Sequence, residues 1–420
     1  SSAIGIPIAA LRCLTSDAAL DAVTTIIRCV WTSGNVPEDW CLVRTALIHK
    51  AGPTDSVDSY RIIGVGTAMS RLFQVLVNDR LHIALTPHIC PDQYGFLHDK
   101  STEMALFLQQ SIMACADISN TPVVATFLDI VRAFNSTPHN FILDALREYG
   151  VDPAIRRLMV SWFSQQRMFV QQGHLASPPF PVHRGVTEGC VFSPILFILV
   201  INAALVRLSN LTAEDGRNIG IPLLNHRWLA QLWYADNSAL FGLSLQQMQR
   251  LLDACTHEFG LLGFLFQMAR NKTAYLQLRR VLPGGLPSAA PVSTSAAGAA
   301  SAADGAEPVL TLQGQAVPYT ETYKYLGVEV HANGLAASRR LYEARLTRVA
   351  AANIAEASSA ALRSVPLLHV AAIYTTYWLS RLTYEMGLEF TTVPPAFTAM
   401  ESKILRMALG APNHPLVCLR

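Results

Sequence analysis

Apolar residues recur at helical spacing within residues 1–40, at Leu20, Val23, Ile26, Ile27 and Val30, and the run stops at the turn Ser33-Gly34-Asn35-Val36-Pro37. This pattern predicts a helical lead-in. Residues 43–49 read as a strand, followed by a Gly52-Pro53 turn, an amphipathic helix over about 70–85 and another helix over 103–116. Residues 123–128 form a short apolar strand that ends in Asp129, and 140–149 a helix closed by Gly150. The apolar run 191–206 is interrupted by Ser193, Pro194 and Asn202 and falls short of the roughly 20 residues that span a bilayer, so it predicts a buried helix and no membrane insertion. Residues 229–233 and 239–243 flank Tyr234-Ala235-Asp236-Asn237 as the two arms of a hairpin with a polar tip.

From 281 to 308 the pattern collapses into Ala, Gly, Ser and Pro, which predicts a flexible surface insertion. Residues 309–317 and 323–330 are strand-like around turn residues. Beyond 335 the chain is Ala-rich and helical, broken at Pro366 and at Pro394-Pro395, as expected of a bundle of about three helices.

Composition adds four constraints. A chain of 420 residues exceeds what one core holds and should divide into two or three subdomains. With 51% hydrophobic and 15% charged residues and a mean hydropathy of +0.29, part of the apolar surface is expected to be covered by protein partners. A net charge of +2 means that any contact with nucleic acid must come from local basic patches, because each neutralised phosphate requires a Lys or Arg. The eight cysteines are scattered, without a C-x-x-C pair or a neighbouring His at ligand spacing, which excludes a zinc site and predicts reduced thiols inside a cell. The sequence begins at Ser1, which is expected of a processed chain or a piece of a longer one.

Nucleotidyl transfer needs carboxylates that converge on divalent ions about 4 Å apart. Asp129 at a strand end and Asp236 at a hairpin tip form such a pair if their strands are neighbours in one sheet, although strand-end aspartates more often cap turns.

The surroundings of these two residues resemble the non-LTR (LINE-type) retrotransposon reverse transcriptase family. "ALIHKAGPTDSVDSYRIIGVGTAMSRLFQVLVNDRL" is similar to its fingers stretch and "PDQYGFLHDKSTEMAL" to the segment that follows; "FLDIVRAFNSTPHNFILDAL" resembles motif A and "HRGVTEGCVFSPILFILVINAAL" motif B. "YADN" resembles motif C, "LGFLFQMARNKT" motif D, "YKYLGVEV" the strand before the thumb and "ESKILRMALGAP" a thumb helix, so the likeness runs over about residues 30–412.

The resemblance implies an α+β right-hand polymerase with fingers, palm and thumb, an antiparallel palm sheet and a helical thumb. Its divisions would be an N-terminal helical extension (1–40), fingers (41–122), a palm with motifs A to D (123–280), the insertion (281–308), the end of the palm (309–334) and the thumb (335–420). It implies that Asp129 and Asp236 bind Mg²⁺, that Lys272 donates a proton to pyrophosphate, and that Lys50 and Arg61 contact the triphosphate. Phe134 would pack against the sugar, while Gly185 and Gly189 form a turn along which template and nucleotide pass.

The departures from the pattern fall at positions that touch substrate. Asn237 stands where the family has a second aspartate, which removes one charge from the metal site. Glu188 stands for the usual Gln and brings a carboxylate towards an anionic triphosphate, a repulsion on the order of several kcal/mol. Asn135, Leu97 and Ile62 replace an Asp, a basic residue and a Pro. None of the family's endonuclease, RNase H or Cys/His-knuckle patterns occurs within the 420 residues.

Three readings follow. The first is a catalytically impaired reverse-transcriptase-like protein repurposed to hold structured RNA and protein partners in a larger ribonucleoprotein, intracellular with a lean towards a mitochondrial over a nuclear one. The second is an active RNA-directed DNA polymerase that takes an RNA template and uses Asp129 and Asp236 for Mg²⁺. The third is a protein scaffold that docks through the apolar face of 350–367 and the cluster Tyr374, Tyr377 and Trp378.

Overall fold

The computed structural model describes residues 13, 15–50, 52–119, 121–214, 216–223, 227–278 and 309–357. The insertion at 281–308, the helical breaks at Pro366 and Pro394-Pro395 and the cluster Tyr374, Tyr377 and Trp378 lie outside the described residues.

The lead-in helix α1 (Asp17–Ser33) opens on the Ser16 hydroxyl and stops where Gly34, at φ 72°, turns left-handed and returns its N–H to the Val30 carbonyl. Strand β1 (Leu42–His49) pairs antiparallel with β2 (Tyr60–Val65), placing Arg44 opposite Val65 and His49 opposite Tyr60. Helix α2 (Ala68–Leu85), capped by Thr67, buries Phe73, Val77, Leu81 and Leu85, one every four residues. Next come α3 (Thr102–Ser119) and β3 (Val123–Asp129), all of whose residues are buried.

The hydrophobic pattern gave no reading of 151–182. There the structure has α5 (Pro153–Gln165) after α4 (His139–Glu148), and then β4 (Arg167–Gln172), which pairs parallel with β1. Asp152 caps α5 and Pro153 occupies its first turn, a start signal that the sequence does carry.

Helix α6 (Ser193–Ser209) is the predicted buried helix, with Ile195 to Asn202 all enclosed. No described helix is long and apolar enough to cross a membrane. Strands β5 (Gln231–Tyr234) and β6 (Asn237–Gly242) form the hairpin, with Asn237 opposite Tyr234 and Ser238 opposite Trp233. Helix α7 (Leu245–Leu261) follows, then β7 (Ala274–Leu278), the hairpin β8 (Thr322–Tyr325) and β9 (Val328–His331), and α8 (Leu335–Ala357). The strand expected over 323–330 is a hairpin because Leu326 and Gly327 both take positive φ, 47° and 96°.

The chain divides into two compact units. The first gathers Ser1–Ser101, Thr126–Thr273 and Pro308–Val317. Its central sheet has the order β3-β6-β5, and α6 and α7 pack on each other with α7 also against β6. Its core is aromatic: Phe127, Phe197, Trp233, Phe259 and Phe264 are buried, and Trp233 stacks on Phe259 at 5.1 Å. Each such ring removed from water stabilises the fold by about 1.5–3 kcal/mol. The second unit comprises Thr102–Ala125, Ala274–Glu307 and Pro318–Arg420. In it α8 packs on β9 and α3, burying Tyr342 and Leu346.

Candidate active site

Apart from Thr126, β3 is apolar until its last residue, so the strand carries Asp129 to the edge of the core, where it remains 7% exposed. β6 runs beside β3 in the sheet. Ser238 Oγ donates to the Leu128 carbonyl at 3.4 Å, so the tip of the hairpin, and with it Asp236, stands next to the end of β3. The condition set by the sequence is met: Asp129 ends one strand, and Asp236 stands in the turn that leads into its neighbour in the same sheet.

Burial first, and then the charge of Asp129, push the Asp236 carboxyl up from 3.8 to about 6, with a smaller push from Glu188. Lys272 acts in the opposite direction. Its Nζ donates to Asp129 Oδ2 at 2.5 Å, a position it reaches because 265–267 run antiparallel past the end of β3: Val131 N donates to Leu265 O and Gln267 N to Asp129 O.

The donor set fits a Mg²⁺ ion. Two facing carboxylates with incompletely compensated charge are what such an ion takes from protein, the rest of its shell being water and substrate phosphate. Among the described residues no cluster of three or more His, Cys, Asp and Glu could hold a metal. At the position of the missing carboxylate, the Asn237 amide donates to Asp236 Oδ1 at 3.4 Å.

The glycine turn packs against the fingers strand. Gly185 (φ 92°) lies so close to Asn135 that a Cβ would stand 2.7 Å from its carbonyl oxygen, and one on Gly189 (φ 99°) would stand 2.5 Å from Gly64 O. Gly64 N donates to Glu188 O at 2.6 Å. This contact aligns Glu188 with Arg61, and Arg61 Nε lies 3.2 Å from Glu188 Oε2. The sequence treats the two separately, one as a triphosphate ligand and the other as a repelling charge; in the fold they form an ion pair. Lys50 stands exposed just past β1, its N–H bonded to Ser59 O.

Phe134 is half-buried and serves the core on one side, stacked on Phe197 at 5.2 Å. On the other it meets Phe96 edge-on, and Phe96 in turn touches Tyr234 at the start of the hairpin tip. Sequence reasoning missed Gln93. The segment 92–95 runs along β5, with Trp233 N donating to Asp92 O and Tyr94 N to Trp233 O, and the only trace of it in the sequence is the string "PDQYGF".

Asp129 at a buried strand end and Asp236 at the tip of the adjoining hairpin stand as the resemblance implies for the palm of a polymerase. The family profile described as "Reverse transcriptase (RNA-dependent DNA polymerase)" matches residues 48–330, and the chain belongs to that family. It is 30% identical over 196 residues to the "Retrovirus-related Pol polyprotein from type-1 retrotransposable element R2" of Popillia japonica, a match covering 46% of this chain and 27% of that protein. It is 28% identical over 246 residues to the R2DM polyprotein of Drosophila melanogaster, covering 57% and 22%. Against the "RNA-directed DNA polymerase from mobile element jockey" of the same fly it is 25% identical over 320 residues, covering 75% and 31%. The chain thus matches less than a third of the length of each of these relatives. Among solved structures, apo telomerase from Candida tropicalis truncated from its C-terminal domain superposes with a TM-score of 0.47 at 10% identity, over 75% of this chain and 59% of that one.

Proposed function

We propose that this reverse-transcriptase-family chain is catalytically impaired and serves as an RNA-binding component of a larger ribonucleoprotein. The observation that carries the reading is that two of the three cationic groups expected to act on a triphosphate or its leaving group are engaged by protein carboxylates, Arg61 by Glu188 and Lys272 by Asp129, while Lys50 stands exposed. Asn237 further lowers the charge available to a metal ion. A bound Mg²⁺ would be held by Asp129 and Asp236 and would supply charge stabilisation for phosphoryl transfer. Lys272 would then have to leave Asp129 to protonate a leaving group.

RNA is the proposed partner because relatives of this chain are named RNA-directed DNA polymerases. The low charge and apolar composition favour additional protein partners. The described cysteines are free thiols, which fits an intracellular setting.

An active polymerase is the competing reading, favoured by the convergence of Asp129, Asp236 and Lys272. Primer extension on an RNA template with Mg²⁺ or Mn²⁺ decides between them. Impairment predicts no Asp129-dependent DNA synthesis, and at most weak synthesis after Asn237→Asp and Glu188→Gln are combined. Robust template-directed extension that vanishes in Asp129→Ala overturns it. Crosslinking to RNA is expected near Lys50 and Arg61 in either case.

A further inference from the structure

We propose that Gln93 is a positioning residue for Asp236, and that it acts by holding the turn of the hairpin in a conformation its own sequence does not favour. The inference rests on reading Asp129 and Asp236 as the metal carboxylates.

Ala235, the residue directly before Asp236, has φ 56°. A residue with a Cβ avoids this left-handed region, so something must hold it there. Ala235 is also buried, and its backbone N–H and C=O both need partners. A single side chain supplies them. Gln93 is fully buried; its Oε1 accepts from Ala235 N at 2.8 Å and its Nε2 donates to Ala235 O at 3.3 Å. The same Oε1 accepts from Gly95 N at 2.8 Å, which fixes the amide's own orientation.

The task demands this residue type. One primary amide offers an acceptor and a donor side by side; a carboxylate has only acceptors and an apolar chain neither. The approach also demands Gly95, since a Cβ there would stand 2.3 Å from Ala235 N. The segment that carries Gln93 is itself secured. Lys100 Nζ donates to the carbonyls of Pro91 at 2.7 Å and Gln93 at 2.8 Å, and Asp92 is ion-paired with Arg227 and accepts from Ser209. "DQYGF" is thus a brace laid across the last residues of β5, and its working end grips the peptide unit from which the Asp236 side chain departs.

The test uses the whole chain and the Mn²⁺ ion alone, with free Mn²⁺ followed by electron paramagnetic resonance and Asp129→Asn marking the site-specific fraction. Gln93→Met keeps the volume and removes the amide. It is expected to weaken Asp129-dependent Mn²⁺ binding about tenfold and to speed hydrogen exchange of the 234–238 turn by at least as much. Ala235→Gly, which adopts a left-handed backbone without strain, is expected to return Mn²⁺ affinity in the Gln93→Met background to within about threefold of the unmodified chain.

A side chain that merely fills space predicts no rescue: the double variant would be as weak as Gln93→Met or weaker, and that result overturns the proposal. Unchanged turn exchange in Gln93→Met overturns it too, whatever the metal does. Absence of Asp129-dependent Mn²⁺ binding already in the unmodified chain is a separate failure, that of the metal-site reading itself.

Discussion

Glu188 and Arg61 illustrate how one substitution changes the work of another residue. The pair is open to solvent, with side chains 32% and 55% exposed, so the attraction is worth only about 0–1 kcal/mol and a strong anion can compete for the guanidinium. Glu188→Gln removes both the competitor and a negative charge. It is expected to tighten binding of a fluorescent deoxynucleoside triphosphate about tenfold in a titration with Ca²⁺, and an additional Arg61→Ala should erase the gain. An unaltered affinity in Glu188→Gln would mean that the pair has no part in nucleotide binding.

Asp236 gives a pH signature. Its carboxyl lies at about 6 in the fold against 3.8 for an ordinary aspartate, so the folded state holds the proton more tightly and stability falls as pH rises from about 4 through about 6. The penalty is fully present at pH 7. Allowing for solvent screening of a half-buried group it amounts to about 1–2 kcal/mol. Asp236→Asn should therefore raise Tm at pH 7 in chelator and lose that advantage by about pH 4; a variant less stable than its parent at pH 7 would contradict the raised value.

At this scale the placements legible in the sequence were those set by a strand end and a hairpin tip, Asp129 and Asp236, while Lys272 was named only by resemblance. Gln93 was not, because its partner Ala235 lies 142 positions away and the bonds go to backbone, which leaves no mark in side-chain chemistry.

Among elements, the hairpin of β5 and β6, the enclosed helix α6 and the end of β3 could be read from alternation and apolar runs, because burial there follows the local pattern. The parallel pairing of β1 with β4 could not, since Leu42 faces Arg167 across a long stretch of chain and no local period encodes such a partner. The hairpins at 311–316 and 322–331 hid within strand-like runs for another reason: the turns Gln313-Gly314 and Leu326-Gly327 carry positive φ at a residue other than Gly.

The interlock of β2 with the glycine turn also belongs to this scale. A Cβ at Gly64 would meet Thr187 Cγ2 at 2.1 Å, and one at Gly189 would press on the Gly64 carbonyl from a left-handed backbone. Gly189→Ala combines backbone strain with a clash against main chain, and is expected to destabilise the protein by about 2–4 kcal/mol in thermal or urea unfolding. A loss under about 0.5 kcal/mol would show that the two segments part easily.

For the molecule as a whole, each compact unit draws on three separate stretches of chain, and β3 starts in one unit and ends in the other. Length and composition reveal that there are several cores, but not how the chain weaves between them. The net charge of +2 bears on the whole surface. With Lys50 and Arg61 as the proposed phosphate contacts, RNA affinity is expected to fall on the order of tenfold between 50 and 200 mM salt, far less than for a protein contacting 6–10 phosphates. Filter binding across that range checks it, and a loss of a thousandfold would require a concentrated basic surface.

The weave has one consequence during synthesis. Both aspartates have been translated by residue 236, yet the counter-charge of Asp129 comes from Lys272, 143 residues further along than Asp129. A nascent chain of which only the residues up to about 240 have emerged from the ribosome would hold two uncompensated acids and an aromatic core still lacking Phe259 and Phe264. Acquisition of protease resistance should therefore lag until the segment past 273 has emerged from the exit tunnel, and the chain should mature late and almost at once rather than block by block.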